Sequence, residues 1–428
     1  PEELRPASWS KMSCPVVPLR KAVYGHPLSG LLWQNKLEES LRKLGWETVE
    51  GWSSVFIHKA TKCCMAIYVD DLLCSGPTKE VEAHLKNIGR EVVLGEAEPL
   101  SKYLGCCYQR QSSPSSTKLT IEMKDFLNQC LGKYKELVSS VLLKQGRTTK
   151  EVNSLLNFKK VATPFLDDQR PLFDKSLPCG ALGEVSAALL MKLLYACRLS
   201  RPDLLKATTL LSRFVTCWSE AHDRALKRLF EYVSCTLDDV LEGSFAGEIR
   251  DGELHLFADS DFASCLETRR STTGVWLQFV SKDAEGKEHA FPLSWSSQRQ
   301  GAVSYSTPEA EVVAGCQGLT KSMLPMITLL EHIAGGPCRR RVAHQDNTCA
   351  ESALQSGQSK ALQNLARTHD VSLKLTAETI EKENIDVIRS ESNKMCADVF
   401  TKPFSLASKW KAVVELIGMK SADDDVMK

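Results

Sequence analysis

From Gly252 the chain alternates in the way a half-buried strand does: in "GELHLFADSDFAS", Leu254, Leu256 and Ala258 share one face and His255 and Phe257 the other. "TTGVWLQFV" and "FPLSWSSQ" predict two further strands. "STPEAEVVAGCQGLTKSMLPMITLLEHIAGG" predicts a long helix that stops at Gly335 and Gly336. A strand ("RRRVAHQD"), two helices, a strand ("NIDVIRSE") and a short last helix ("KMCADVFTK") complete the series. The order β-β-β-α-β-α-α-β-α predicts an α/β (α+β) unit: a mixed five-stranded sheet flanked by helices.

The remaining chain divides at changes in pattern. "QSSPSSTK" (residues 111–118) reads as a polar turn and sets a first block at 1–112. That block holds a helix spaced by Leu31, Leu32, Leu37, Leu41 and Leu44 and closed by Gly45. The strands "SSVFIHK" and "CCMAIYVD" follow it. A second block, 113–248, reads as mostly helical. Its first long helix must end at Arg201, because Pro202 lacks an N–H and bars its predecessor from the helical region. In "EAHDRALKRLFEYV", Arg224, Lys227 and Arg228 share one helix face, suited to solvent or to phosphate. The third block spans 249–412, and 413–428 reads as a C-terminal tail that ends in the acidic "SADDDVMK".

At 428 residues the chain has room for two or three domains. A net charge of +1 gives no overall basic field, so nucleic-acid contact would rest on local clusters. Sixteen scattered cysteines, without facing Cys-x2-Cys pairs, read as reduced thiols rather than zinc ligands or disulfides. "PEELRPASWS" carries no signal-peptide pattern and reads as a cut end, and no apolar run approaches a membrane span. The expected setting is intracellular, in cytoplasm or nucleus, without membrane contact. The oligomeric state is open.

Four acids of the third block stand where elements end: Asp259, Asp346, a glutamate of "PEAE" and Asp398. Singly, each is more often a cap or a solvated charge. Together they suit Mg²⁺, a hard ion that prefers oxygen ligands, with Mn²⁺ as a substitute. Two such ions about 3.5–4 Å apart serve phosphodiester hydrolysis. Glu309 and Glu311 lie on different sides of one helix. Ser306 and Glu309 fit a capping box, which leaves Glu311 for metal. A second acid pair, Asp70 and Asp71, interrupts the apolar "AIYVDDLLCSG", as metal ligands or as a simple turn.

The segments "FADSDFAS", "RRSTTG", "LSWSSQRQ", "STPEAEVVAG", "QDNTCA" and "ADVFTKP" occur in the order found in the RNase H domain of copia-type LTR retrotransposon Pol polyproteins, which this block resembles. "KAVYG", "YVDDLL", "YLG", "ATP", "SRPD" and "EAHDRALKRLFEYV" extend the resemblance upstream to about Leu19. It implies a partial reverse-transcriptase palm at 1–112, a thumb or connection at 113–248 and an RNase H-like domain at 249–412.

By that resemblance Asp259, Glu311, Asp346 and Asp398 bind two Mg²⁺ ions and cleave the RNA strand of an RNA–DNA hybrid. Asp261 stands as an alternative ligand. Arg269, Arg270, Ser271, Thr272, Gln298 and Arg299 would contact the nucleic acid, and the run Arg339–Arg341 is a further phosphate candidate or a solubilising edge. Asp70 and Asp71 become the paired acids of a polymerase hairpin with a single-stranded template. Polymerisation also needs a third aspartate expected upstream, and "YGHPLSGLLW" departs from the family's "YGLKQAPRAW", so this chain is not expected to polymerise by itself. In "RTHDVSLK" Thr368 takes the family's histidine position, and His369 reads as a surface or capping residue. The other reading is an inactive retroelement remnant that folds or binds nucleic acid.

Overall fold

The computed structural model describes residues 5–16, 21–23 and 25–421. Tyr24 of "KAVYG" and all but the first residue of "SADDDVMK" lie outside them. The chain forms two compact units, 1–98 and 99–428.

In the first unit, helix α1 (Ser29–Lys43) ends at Gly45, whose φ of +86° suits glycine. Strands β1 (Glu47–Val49), β2 (Trp52–His58), β3 (Cys63–Tyr68) and β4 (Asp71–Ser75) then form an antiparallel sheet in sequence order, followed by α2 (Thr78–Glu91). Leu37, Leu41, Trp46, Phe56, Met65 and Ile88 make its core.

The second unit opens with β5 (Lys102–Tyr103), β6 (Cys106–Ser112) and β7 (Thr117–Glu122), and continues through α3 (Lys124–Lys144), α4 (Thr149–Leu156) and α5 (Gly183–Leu199). A short turn at Pro202–Leu204 separates α5 from α6 (Leu205–Ser212), as Pro202 requires, and α7 (Glu220–Cys235) leads to β8 (Val240–Phe245). Next come β9 (Glu253–Asp261), β10 (Thr272–Lys282), β11 (Glu288–Arg299), α8 (Thr307–Gly318) and α9 (Leu324–Ala334). A π-helical turn joins α8 to α9, so the long helix is interrupted just before Pro325. The rest is β12 (Arg340–Gln345), α10 (Thr348–Ser356), α11 (Leu365–Thr368), α12 (Leu373–Lys382), β13 (Ile385–Arg389), α13 (Ala407–Leu416) and β14 (Met419–Lys420).

The mixed sheet is as expected: order β11-β10-β9-β12-β13, antiparallel across β9–β11 and parallel where β12 joins β9 and β13. On β9 both faces are buried, Phe257 as well as Leu254, Leu256 and Ala258.

The expected block boundaries fare differently. Residue 112 ends β6, inside the β6–β7 hairpin, so it cannot divide two units. Residues 113–248 are not simply helical, because β7 and β8 belong to a second sheet, β14-β8-β7-β6-β5. Residues 413–420 are not tail: they finish α13 and form β14, which pairs with β8. One core runs through the second and third blocks, joining Leu190, Leu193, Leu229 and Phe230 to Trp276, Phe400 and Trp410. Trp295 Nε1 donates to the Cys197 carbonyl at 2.8 Å, and Trp410 Nε1 to Tyr232 Oη at 3.0 Å. Apolar surface shared this way ties residues 249–412 to the block before them.

A carboxylate cluster and its comparison with known proteins

Asp259 stands near the end of β9, the central strand, with 1% of its surface exposed. Gly274 pairs with it across β10. A Cβ on Gly274 would lie 2.6 Å from Thr401 Cγ2 and 2.7 Å from the Ala397 carbonyl oxygen, so only glycine lets the 396–401 segment lie against the strand. That segment is a 3₁₀ turn, Cys396–Phe400, and it carries Asp398. Asp346 is the first residue beyond β12. The following Asn347 caps α10, accepting from the Cys349 and Ala350 amides at 3.0 and 3.1 Å.

Glu309 and Glu311 point into different surroundings. Ser306 Oγ accepts from the Glu309 amide at 3.3 Å, but the Glu309 carboxylate takes the Tyr305 amide at 2.8 Å rather than that of Ser306. Glu311 faces the other way, and its Oε2 is buried with no hydrogen-bond partner.

Asp259, Glu311 and Asp346 each present an oxygen within 4.8 Å of the others. Among the described residues they are the one set of three or more acidic, histidine or cysteine side chains so grouped. Burial, then the Asp259 and Asp346 charges, pushes the Glu311 carboxyl up to about 9. Burial also raises Asp259, against the pull of Lys402 and Thr401. Asp398 does not join the trio directly. Burial and the Asp259 charge push it up to about 7, while Lys402 opposes them. The Lys402 ammonium sits 2.7 Å from Asp398 Oδ1 and 3.5 Å from Asp259 Oδ1, and Thr401 Oγ1 donates to Asp259 Oδ2.

A buried carboxylate oxygen without a donor is costly, and crowded carboxylates repel. An all-oxygen set of this kind fits a hard divalent cation. The residues therefore fit the Mg²⁺ that the resemblance implies.

Asp261 is not available as the alternative ligand. It pairs with the buried Lys206 ammonium at 2.8 Å and accepts the Thr272 amide. Ser271 and Thr272 are fully buried and cannot meet a nucleic acid. Ser271 Oγ accepts the Ala263 amide at 3.0 Å, and Thr272 Oγ1 accepts from Arg213 at 2.9 Å and Lys206 at 3.3 Å. They fix the loop that presents Arg269 and Arg270. Arg269, Gln298 and Arg299 are exposed and Arg270 half-buried. Arg299 pairs with Thr272, which pairs with Asp261, so these groups rim the same sheet end.

The other basic candidates are engaged internally. Arg339 pairs with Glu253, Arg340 with Asp386 at 2.5 Å, and Arg341 with Glu331 and Glu383. Their strand, β12, is interior to the sheet, so they protect no edge. Arg228 donates to the Thr163 carbonyl at 2.8 Å and Lys227 lies 3.8 Å from Glu231, which leaves Arg224 exposed on that face. The His369 side chain is turned inward rather than lying on the surface: its Nε2 lies 3.1 Å from Ser304 Oγ and 3.6 Å from Glu309, while Thr368 donates to Glu309 at 3.1 Å.

Sequence reasoning passed over Lys402, Thr401 and Lys206. Lys402 lies four residues beyond Asp398, a spacing that brings side chains together. Lys206 had a signal in being the one charge within "LLKATTLL". Thr401 had none.

Asp70 and Asp71 occupy the hairpin expected of them, where Tyr68 pairs with Asp71 across a Val69–Asp70 turn. Both are exposed, so their charges need no buried partner. Trp33 Nε1 donates to the Val69 carbonyl at 2.9 Å and braces the tip.

Residues 8–140 match the family model described as reverse transcriptase (RNA-dependent DNA polymerase). The chain is 24% identical over 98% of its length to the retrovirus-related Pol polyprotein from transposon TNT 1-94 of Nicotiana tabacum, covering 29% of that protein. It is 23% identical over 91% of its length to the Pol polyprotein from transposon RE1 of Arabidopsis thaliana, covering 24% of it. The chain thus spans less than a third of these curated relatives. A solved foamy viral protease-reverse transcriptase in complex with double-stranded DNA aligns with 85% of this chain and 49% of its own, at 10% identity and a TM-score of 0.38. All sixteen cysteines are free, and among the described residues no helix is long and apolar enough to cross a membrane. The family match and the relatives that span almost the whole chain support a retrotransposon Pol polyprotein of the kind found in copia-type plant transposons.

Proposed function

We propose that the 249–412 region is the nuclease of a reverse-transcriptase polyprotein and cleaves RNA in RNA–DNA hybrids with Mg²⁺. The observation that carries this reading is the meeting of Asp259, Glu311 and Asp346, whose oxygens lie within 4.8 Å of one another, with Glu311 Oε2 buried and unpartnered. These three residues would hold the cation, with Asp398 as the fourth acid. When bound, Mg²⁺ supplies the Lewis acidity that makes water a competent nucleophile at a phosphodiester. The water oxygen joins phosphorus as the P–O3′ bond breaks, leaving a 3′-hydroxyl. Arg269, Arg270, Gln298 and Arg299 at the rim would hold the phosphates and test for the 2′-hydroxyl that marks RNA.

Asp70 and Asp71 are proposed as paired acids of RNA-directed DNA synthesis on a single-stranded template. Among the described residues no third acid groups with them, so synthesis would need one from outside. The free cysteines suit the cytoplasm or nucleus.

The test is hybrid cleavage by the full chain with Mg²⁺ or with chelator. Asp259→Asn or Asp346→Asn should lower kcat at least about a hundredfold with the circular-dichroism spectrum unchanged. Wild-type rates in either variant would overturn the assignment.

A further inference from the structure

Four acids and a pair of ions are the expectation, but the geometry divides the acids into unequal halves. Asp259, Glu311 and Asp346 bring oxygens within 4.8 Å of one another, and Glu311 Oε2 is buried without a hydrogen-bond partner. On the other side, the Lys402 amide donates to the Asp398 carbonyl at 2.9 Å, and this turn swings the Lys402 side chain back over Asp398. The ammonium comes to rest between Asp398 Oδ1 and Asp259 Oδ1, at 2.7 and 3.5 Å. Thr401, from the same turn, donates to the other Asp259 oxygen.

We infer that Lys402 is a built-in cation standing where a second divalent ion would lie, so that the chain holds one divalent cation, at Asp259, Glu311 and Asp346. This inference rests on the metal reading under Proposed function and revises the number of ions it calls for. A divalent ion seated against Asp259 and Asp398 would take the place of the ammonium. The lysine is tethered by its own backbone turn and is present at every metal concentration, whereas an ion binds and leaves by mass action. Lys402 is therefore a positioning residue: it holds Asp398 and one side of Asp259 in place whether or not the other half is loaded.

The experiment is a titration of the full chain with Mn²⁺ alone, read by calorimetry and by the electron-paramagnetic signal of free Mn²⁺. The wild type should take up one ion per chain, Lys402→Met two, and Asp398→Asn one. Two ions in the wild type, one in Lys402→Met, or loss of the ion in Asp398→Asn would each overturn the inference. No uptake by the wild type would instead overturn the metal reading beneath it. Because occupancy is counted without substrate, a failed cleavage assay and a wrong ion count remain distinguishable.

Discussion

Asp70 and Asp71 are neighbours in the chain and stand exposed on a hairpin, whereas Asp259, Glu311 and Asp346 lie far apart in the chain and meet at a largely buried site. The hairpin needs only two adjacent strands in register, and water solvates its charges. The cluster needs β9 and β12 side by side, α8 laid on the sheet, and the turn at Cys396–Phe400 packed against Gly274. Buried charge is stable only with partners, so this region carries a second framework of polar contacts, with Lys206 on Asp261 and Lys402 on Asp398. The difference teaches that the hairpin tip can change at small cost, whereas the cluster answers to residues well outside it.

The sharpest way to break that contrast is at Lys206, which is 3% exposed. Lys206→Met strands the Asp261 carboxylate and should cost about 3–5 kcal/mol, with the double variant Lys206→Met/Asp261→Asn recovering much of it. Urea denaturation measures both, and a loss below about 1 kcal/mol would remove the distinction between the two regions.

A smaller effect follows from the raised carboxyls. In the folded chain Glu311 keeps its proton up to about 9 and Asp398 to about 7, while both release it near their ordinary values once unfolded. Between those limits the folded state binds more protons, so stability in chelator should fall as pH rises. The slope would approach about 1.4 kcal/mol per pH unit for each such proton. Glu311→Gln should flatten the curve above pH 7 and leave the lower limb, as denaturation midpoints across the range would register. An unchanged upper limb would mean that Glu311 is not the proton holder.

The smallest effect belongs to the hairpin. Asp70→Asn combined with Asp71→Asn should shift stability by no more than about 0.5 kcal/mol, as exposed substitutions do. A larger shift in the thermal midpoint would show that these acids serve the first unit's packing after all.

Much was legible in the sequence. The strand alternation of β9, the break at Pro202, the hairpin around Asp70 and the separation of Glu309 from Glu311 are local consequences of period, ring geometry and helix spacing. The boundaries at 112 and 412 were not legible. β6 and β7 read as ending one block and starting another, and β14 finds β8 only after more than half the second unit has been laid down. Ser271, Thr272 and Arg339–Arg341 look like a polar surface in the sequence. Folding buries Ser271, Thr272 and Arg341 against partners of their own, while Arg339 and Arg340 stay exposed beside Glu253 and Asp386.

By itself, the sequence determined the elements, their order and the acids at their ends, because backbone preference and hydrophobic period act over a few residues. Tertiary structure alone decided which acids share a site, which cations stay with them, and that the second and third blocks bury one common core. Charge interactions and desolvation depend on distance in space, which the spacing of residues along a chain does not fix.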